Sequence, residues 1–91
     1  AAEVEAALYG SEGIAEAAVF GVPDERLGEL PVAILHRRVG SVISEDELRS
    51  FLEGRLAGFK VPARMIFSDT PLPRLGTGKI DRLALKQQYA G

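Results

Sequence analysis

Apolar residues recur along the chain in two different rhythms. From Glu3 to Tyr9, Val4, Ala7 and Leu8 fall at helical spacing, and Gly10 and Gly13 then interrupt the run, so the pattern predicts a short first helix. Between Ile14 and Val22 small and branched apolar residues follow one another almost without alternation. That continuity predicts a buried strand, and Pro23-Asp24 supplies the turn signal expected to end it. A second strand is expected from Leu30 to Arg38, where Val32-Ala33-Ile34-Leu35 gives way to His36-Arg37-Arg38 at the surface. The Asp24–Glu29 segment is expected to link the two.

The best-specified local signal follows Val42. Ser44 and Glu47 have the Ser-x-x-Glu spacing of a capping box, with Ile43 and Leu48 placed as its hydrophobic staple. Leu48, Phe51, Leu52 and Leu56 then form one apolar face, Glu45, Asp46, Arg49, Glu53 and Arg55 are left for water, and Gly58 is the expected stop. Ala63–Phe67 reads as a third strand in which Arg64 interrupts the apolar run. Pro71, Pro73, Gly76 and Gly78 exclude regular structure over Ser68–Gly78. Asp81 is placed to cap a last helix reaching Tyr89, with Ile80 and Leu85 as another staple. The order α-β-β-α-β-α predicts an α+β fold, a small three-stranded sheet covered by helices.

Composition narrows the function classes. Ninety-one residues with 46% hydrophobic and 26% charged side chains suffice for one compact domain, read as spanning 1–91. The 13 acidic and 11 basic residues are well mixed, which argues against a nucleic-acid footprint. With no cysteine and the single His36, expected at a strand edge, thiol chemistry is excluded and no metal site is expected. No segment approaches the ~20 apolar residues of a membrane span, and the acidic start is unlike a signal peptide. A cytoplasmic location is the simplest expectation. The opening Ala1-Ala2-Glu3-Val4 without Met suggests a fragment of a longer chain.

The segment with chemical potential is Gly76-Thr77-Gly78-Lys79. Two glycines flank a hydroxyl and present a long cationic side chain beside a helix start, a combination suited to an anion such as phosphate or carboxylate. On spacing alone, a solvated turn is the commoner outcome. A phosphate-binding P-loop is excluded, because Pro73 stands where its first glycine is needed and Ile80 follows Lys79.

The wider wording is more specific. Pro71-Leu72-Pro73-Arg74-x-x-Thr77-Gly78-Lys79-Ile80-Asp81-Arg82 resembles the closing signature of adenylate-forming enzymes, which include acyl-CoA synthetases, peptide-synthetase adenylation domains and luciferases. Ala17-Ala18-Val19-Phe20-Gly21-Val22-Pro23-Asp24-Glu25-Arg26-Leu27-Gly28-Glu29 and Phe59-Lys60-Val61-Pro62 resemble the same family in the same order, so the likeness covers nearly the whole chain. The resemblance implies the small, mobile C-terminal domain of such an enzyme. It also implies carboxylate activation by ATP with Mg2+, then transfer of the acyl group to CoA. Lys79 matches the lysine of the first step, and the domain is expected to rotate between the two. Acetylation of this lysine, known as a type of regulation in acyl-CoA synthetases, is implied only as a hypothesis here.

The other expectations are more modest. Gly76, Thr77 and Gly78 support the Lys79 loop. Lys60 and Arg82 are candidates for nucleotide or CoA phosphate contact, set against ordinary solvated cations. Asp24, Glu25, Arg26 and Glu29 form a charged turn without a catalytic role, and Phe51, Phe59, Phe67 and Tyr89 are read as core or rim packing. The large N-terminal nucleotide-binding domain, with its phosphate loop and hinge, is missing from the sequence. ATP, CoA and the carboxylic acid, a fatty acid in the preferred reading, would therefore need that partner, and none would be bound by this chain alone. The isolated chain is expected to be inactive. A peptide-synthetase fragment and a non-catalytic α/β interaction module are the competing readings.

Overall fold

The computed structural model describes residues 2–26 and 28–89, with Phe59 described through its backbone alone. Its elements are α1 (Ala2–Tyr9), β1 (Ile14–Asp24), β2 (Gly28–Arg37), α2 (Glu45–Glu53), a 3-10 turn (Gly58–Lys60), β3 (Arg64–Phe67) and α3 (Arg82–Tyr89). The sheet order is β1-β2-β3. β1 and β2 form an antiparallel hairpin with Val19 opposite Ala33. β3 returns parallel to β2 after the α2 crossover, with Ile66 opposite Ile34. The expected three-stranded α+β architecture is the one observed.

Both faces of the sheet are covered, which explains why the strand sequences run apolar without alternation. Successive side chains point to opposite faces. Ala17, Val19, Ala33, Leu35 and Met65 pack with Val4 and Leu8 of α1 and with Leu48 and Leu52 of α2. Ala18, Phe20, Val32 and Ile34 pack instead with Leu85 of α3 and Leu72 of the preceding loop. The two staples behave as expected: Ile43 borders the first cluster, and Ile80 borders the second beside Leu85. Phe51 and Phe67 border the first cluster and Tyr89 the second, whereas the expected packing of Phe59 lies outside the described residues.

Three local expectations need correction. β1 does not end at Val22: Pro23 and Asp24 stay in the ladder opposite Glu29 and Gly28, so the expected Asp24–Glu29 link is strand at both of its ends. An edge strand directs alternate N–H groups away from its neighbour, so a proline there need not remove a ladder bond. The chain reverses between Asp24 and Gly28, whose φ of +79° suits a residue without Cβ. α2 stops at Gly54 instead of Gly58. Beyond this weak helix former the chain tightens, and Arg55 and Leu56 N–H groups both reach the Leu52 carbonyl, which swings Leu56 into the core. His36 belongs to the central strand, and its Nδ1 lies 3.1 Å from the Ser68 carbonyl.

The start of α2 follows its sequence signal closely. Ser44 Oγ accepts from the Glu47 N–H at 3.1 Å, and Glu47 Oε1 accepts from the Ser44 N–H at 3.2 Å. Such a cap contributes about 1 kcal/mol. The opposite edge of the sheet is closed by α1. Tyr9 Oη accepts from the Ala17 N–H at 3.1 Å and lies 3.2 Å from its carbonyl, and the Glu5 carboxylate accepts from the Val19 N–H at 2.8 Å. These side chains satisfy backbone groups that an edge strand would otherwise leave open to another chain.

Candidate functional site

The Gly76–Lys79 segment forms a tight hairpin rather than a loose loop. The Gly78 N–H donates to the Leu75 carbonyl at 2.9 Å, closing a turn over Gly76 and Thr77. The Leu75 N–H donates to the Lys79 carbonyl at 2.7 Å, and Arg74 and Ile80 form an isolated antiparallel bridge below it. Gly78 has φ +90°, the left-handed position that ends a three-residue hairpin loop and that side chains with Cβ disfavour. Gly76, Thr77 and Gly78 thus reverse the chain, and Lys79 follows at the exit of the turn. Thr77 and Lys79 are exposed, and no described residue forms an ion pair or hydrogen bond with the Lys79 ammonium.

Two carboxylates that the sequence reading did not single out fasten the hairpin and the helix after it to the rest of the fold. Glu16, on the α3-facing side of β1, is only 8% exposed. Its Oε1 accepts from the Leu72 N–H at 2.8 Å, while Oε2 accepts from Arg74 Nη2 at 2.5 Å and Nε at 3.1 Å. Arg74 Nη1 then donates to the Gly78 carbonyl at 2.6 Å, one residue before Lys79. Glu5 plays the corresponding part for the helix that follows, accepting from Arg82 through both Nε, at 2.9 Å, and Nη2. Both anchors leave α1 and β1 to meet residues far along the chain.

Electrostatics follow from these contacts. Burial alone would push the Glu5 carboxyl up, but bonds from Arg82 and the Val19 N–H, with the Arg82 charge, hold it below the usual carboxylate range. The bond to Glu5 in turn raises Arg82 above the usual guanidinium value, against its own partial desolvation. Glu5, Tyr9, Ala17, Arg74, Gly78, Lys79, Ile80 and Arg82 line one open cleft of about 470 Å³. Of the cationic side chains lining it, Arg82 is paired with Glu5 and Arg74 with Glu16 beside the cleft, whereas the Lys79 ammonium has no ion-pair partner among the described residues. The start of α3 is already served by Asp81, whose Oδ1 accepts from the Ala84 N–H at 3.0 Å.

Among the candidate phosphate contacts, Arg82 shares the Lys79 cleft and is bound to Glu5. Lys60 lies elsewhere: it bonds to Glu3 at 2.6 Å and lines another cleft with Val19, Phe20, Glu29 and Pro31. Among the described residues no three His, Cys, Asp or Glu side chains gather as a metal site requires. No helix is long and apolar enough to cross a membrane among them.

The sequence pattern of the family described as AMP-binding enzyme C-terminal domain matches residues 3–79. A 3-[(3aS,4S,7aS)-7a-methyl-1,5-dioxo-octahydro-1H-inden-4-yl]propanoyl:CoA ligase of Rhodococcus jostii (strain RHA1) is 45% identical over 87 residues, 96% of this chain and 17% of that protein. A feruloyl-CoA synthase of Amycolatopsis sp. is 46% identical over 88 residues, 97% of this chain and 18% of that protein. Among solved structures, a Mycobacterium tuberculosis fatty acyl CoA synthetase superposes with a TM-score of 0.87 at 38% identity, covering 98% of this chain and 17% of that one. The chain thus spans less than a fifth of the length of these relatives.

Proposed function

The chain belongs to the AMP-binding enzyme C-terminal domain family, and from that premise we propose that it is the C-terminal domain of an ATP-dependent acyl-CoA synthetase. In this reading residues 1–91 form one domain that works against a large N-terminal nucleotide-binding domain, in the cytoplasm. A substrate carboxylate oxygen attacks the α-phosphorus of ATP and pyrophosphate leaves, giving an acyl-adenylate. The thiol sulfur of CoA then attacks the acyl carbon, loses its proton and displaces AMP.

Lys79 serves the first step. Carboxylate and triphosphate repel each other, and a protonated lysine at their junction offsets that repulsion and the charge gathering on the transferred phosphoryl group. The observation that carries the reading is the exposed Lys79, unpartnered among the described residues, on a hairpin whose backbone is pinned on both sides. Rotation of the domain would deliver Lys79 for adenylation and withdraw it before the thiol arrives. Lys60 and Arg82 are held by Glu3 and Glu5, so a phosphate contact from either would come from the donors that those carboxylates leave over. Mg2+ accompanies ATP in this scheme, and no step passes through a metal bound by this chain.

The three relatives are named for a bicyclic propanoyl, a feruloyl and a fatty acyl group, yet all are similar to this chain. Such variety at near-constant likeness favours selection of the acid outside this domain. A fatty acid remains our proposed substrate class. Pyrophosphate release with ATP and a panel of carboxylic acids tests the proposal. The enzyme carrying this domain is expected to release it and the 91-residue chain alone is not. Turnover by the pure chain, or none by the longer enzyme with any acid, would contradict the reading.

A further inference from the structure

We infer that Glu16 is a positioning residue for Lys79, acting through Arg74, an inference that rests on the adenylation role proposed for Lys79. A lysine on an exposed hairpin has four rotatable side-chain bonds and a backbone that local hydrogen bonds alone fix poorly. Two of the hairpin's own bonds, Gly78 N–H to Leu75 and Leu75 N–H to Lys79, define its internal shape but not its direction relative to the sheet. Direction comes from the Glu16 carboxylate. One oxygen holds the Leu72 N–H, where the loop enters, and the other holds the Arg74 guanidinium. That guanidinium reaches across the hairpin to the Gly78 carbonyl, whose peptide unit leads directly into Lys79.

The path from β1 to Lys79 is therefore Glu16, Arg74, the Gly78 carbonyl and the Lys79 backbone. Glu16 is suited to be its fixed end. It lies on a strand, is 8% exposed, and has its two oxygens committed to different partners. Arg74 is suited to be the transmitting part, because its planar fork bonds Glu16 on one side and Gly78 on the other, which a lysine's single ammonium would not reproduce in the same geometry. Arg74 is about half exposed, so the arrangement directs the hairpin more than it stabilises the fold.

Glu16→Gln separates the two functions of the carboxylate. The amide oxygen can still accept from the Leu72 N–H, whereas the amide NH2 faces the Arg74 donors and leaves the guanidinium without an acceptor there. Arg74→Met removes the same link from the other side. In the enzyme carrying this domain, both substitutions should lower kcat for adenylation by about 10- to 100-fold, the scale of a small misplacement of a catalytic group. KM for ATP and thioester formation from supplied acyl-adenylate should remain at wild-type values. The double variant should lose no more than either single one, and amide exchange at Leu75 and Gly78 should accelerate in each.

Wild-type adenylation by both variants, in an enzyme that Lys79→Ala disables, would overturn the positioning role and leave the Lys79 reading intact. An equal fall in both half-reactions with a lowered melting temperature would also overturn it, in favour of a structural ion pair. Unaffected adenylation in Lys79→Ala itself would remove the functional reading and this inference together.

Discussion

Replacing Glu5 by Gln should destabilise the domain at neutral pH and leave it little altered in acid. Glu5 Oε2 accepts from the Val19 N–H at 2.8 Å and from Arg82 Nε at 2.9 Å, and Oε1 accepts from Arg82 Nη2. A glutamine oxygen can keep the Val19 bond, but its NH2 cannot accept from the guanidinium. Hydrogen bonds to charged groups contribute about 1.5–3 kcal/mol, and the Arg82 side chain is 52% exposed, so water recovers part of the loss. The expected cost is about 1–2 kcal/mol. With a urea slope of about 1 kcal/mol/M for a small domain, the midpoint should fall by about 1–2 M.

The sign of the pH dependence is fixed by the direction of the Glu5 shift. Burial opposes ionisation, yet the Arg82 and Val19 bonds prevail and the folded-state value lies below the usual one. The carboxylate's contribution is therefore complete above the unfolded glutamate value of about 4.3 and disappears as pH falls through the lower folded one. Urea unfolding of wild type and Glu5→Gln, followed by far-UV circular dichroism, should show the full gap at neutral pH and a closing gap below about pH 4. A gap that stays constant or widens in acid would refute the reasoning.

Two further substitutions probe the fold and the hairpin separately. Leu85→Ala removes a side chain that is 1% exposed between α3 and the sheet, and should cost about 2–5 kcal/mol in thermal or chemical unfolding; a loss under about 1 kcal/mol would mean that α3 is not packed as described. Gly78→Ala places a Cβ at φ +90° where no neighbour lies within 4 Å, so its penalty is conformational, about 1–2 kcal/mol. It should slow adenylation while sparing thioester formation from supplied acyl-adenylate, and equal effects on both would contradict the hairpin's assigned role.

Much of the fold is legible in the sequence because its determinants are local. Ser44 and Glu47 interact within one helical turn, and the apolar runs Ala17–Phe20 and Val32–Leu35 state directly that both sheet faces are buried. Pro23 misleads because a proline's effect depends on whether its strand is at an edge, which only the assembled sheet decides. Gly58 misleads because Gly54 already lets the chain tighten and Leu56 finds the core without further helix. Lys79 and its glycines are recognisable from wording alone, but Glu16 and Glu5 are not. Their partners lie 58 and 77 residues away. A signal for Glu16 did exist: a lone carboxylate inside the apolar run Ile14–Val22 needs a distant donor once buried.

The central claim is that Lys79 acts in adenylation and not in thioester formation, and measuring both half-reactions in Lys79→Ala tests it most directly. In the enzyme carrying this domain, loss of one preorganised cation should slow acyl-adenylate formation by about 10²–10³-fold or more, while supplied acyl-adenylate is converted to thioester at the wild-type rate. Unchanged adenylation, or an equal loss in both half-reactions, would contradict the account.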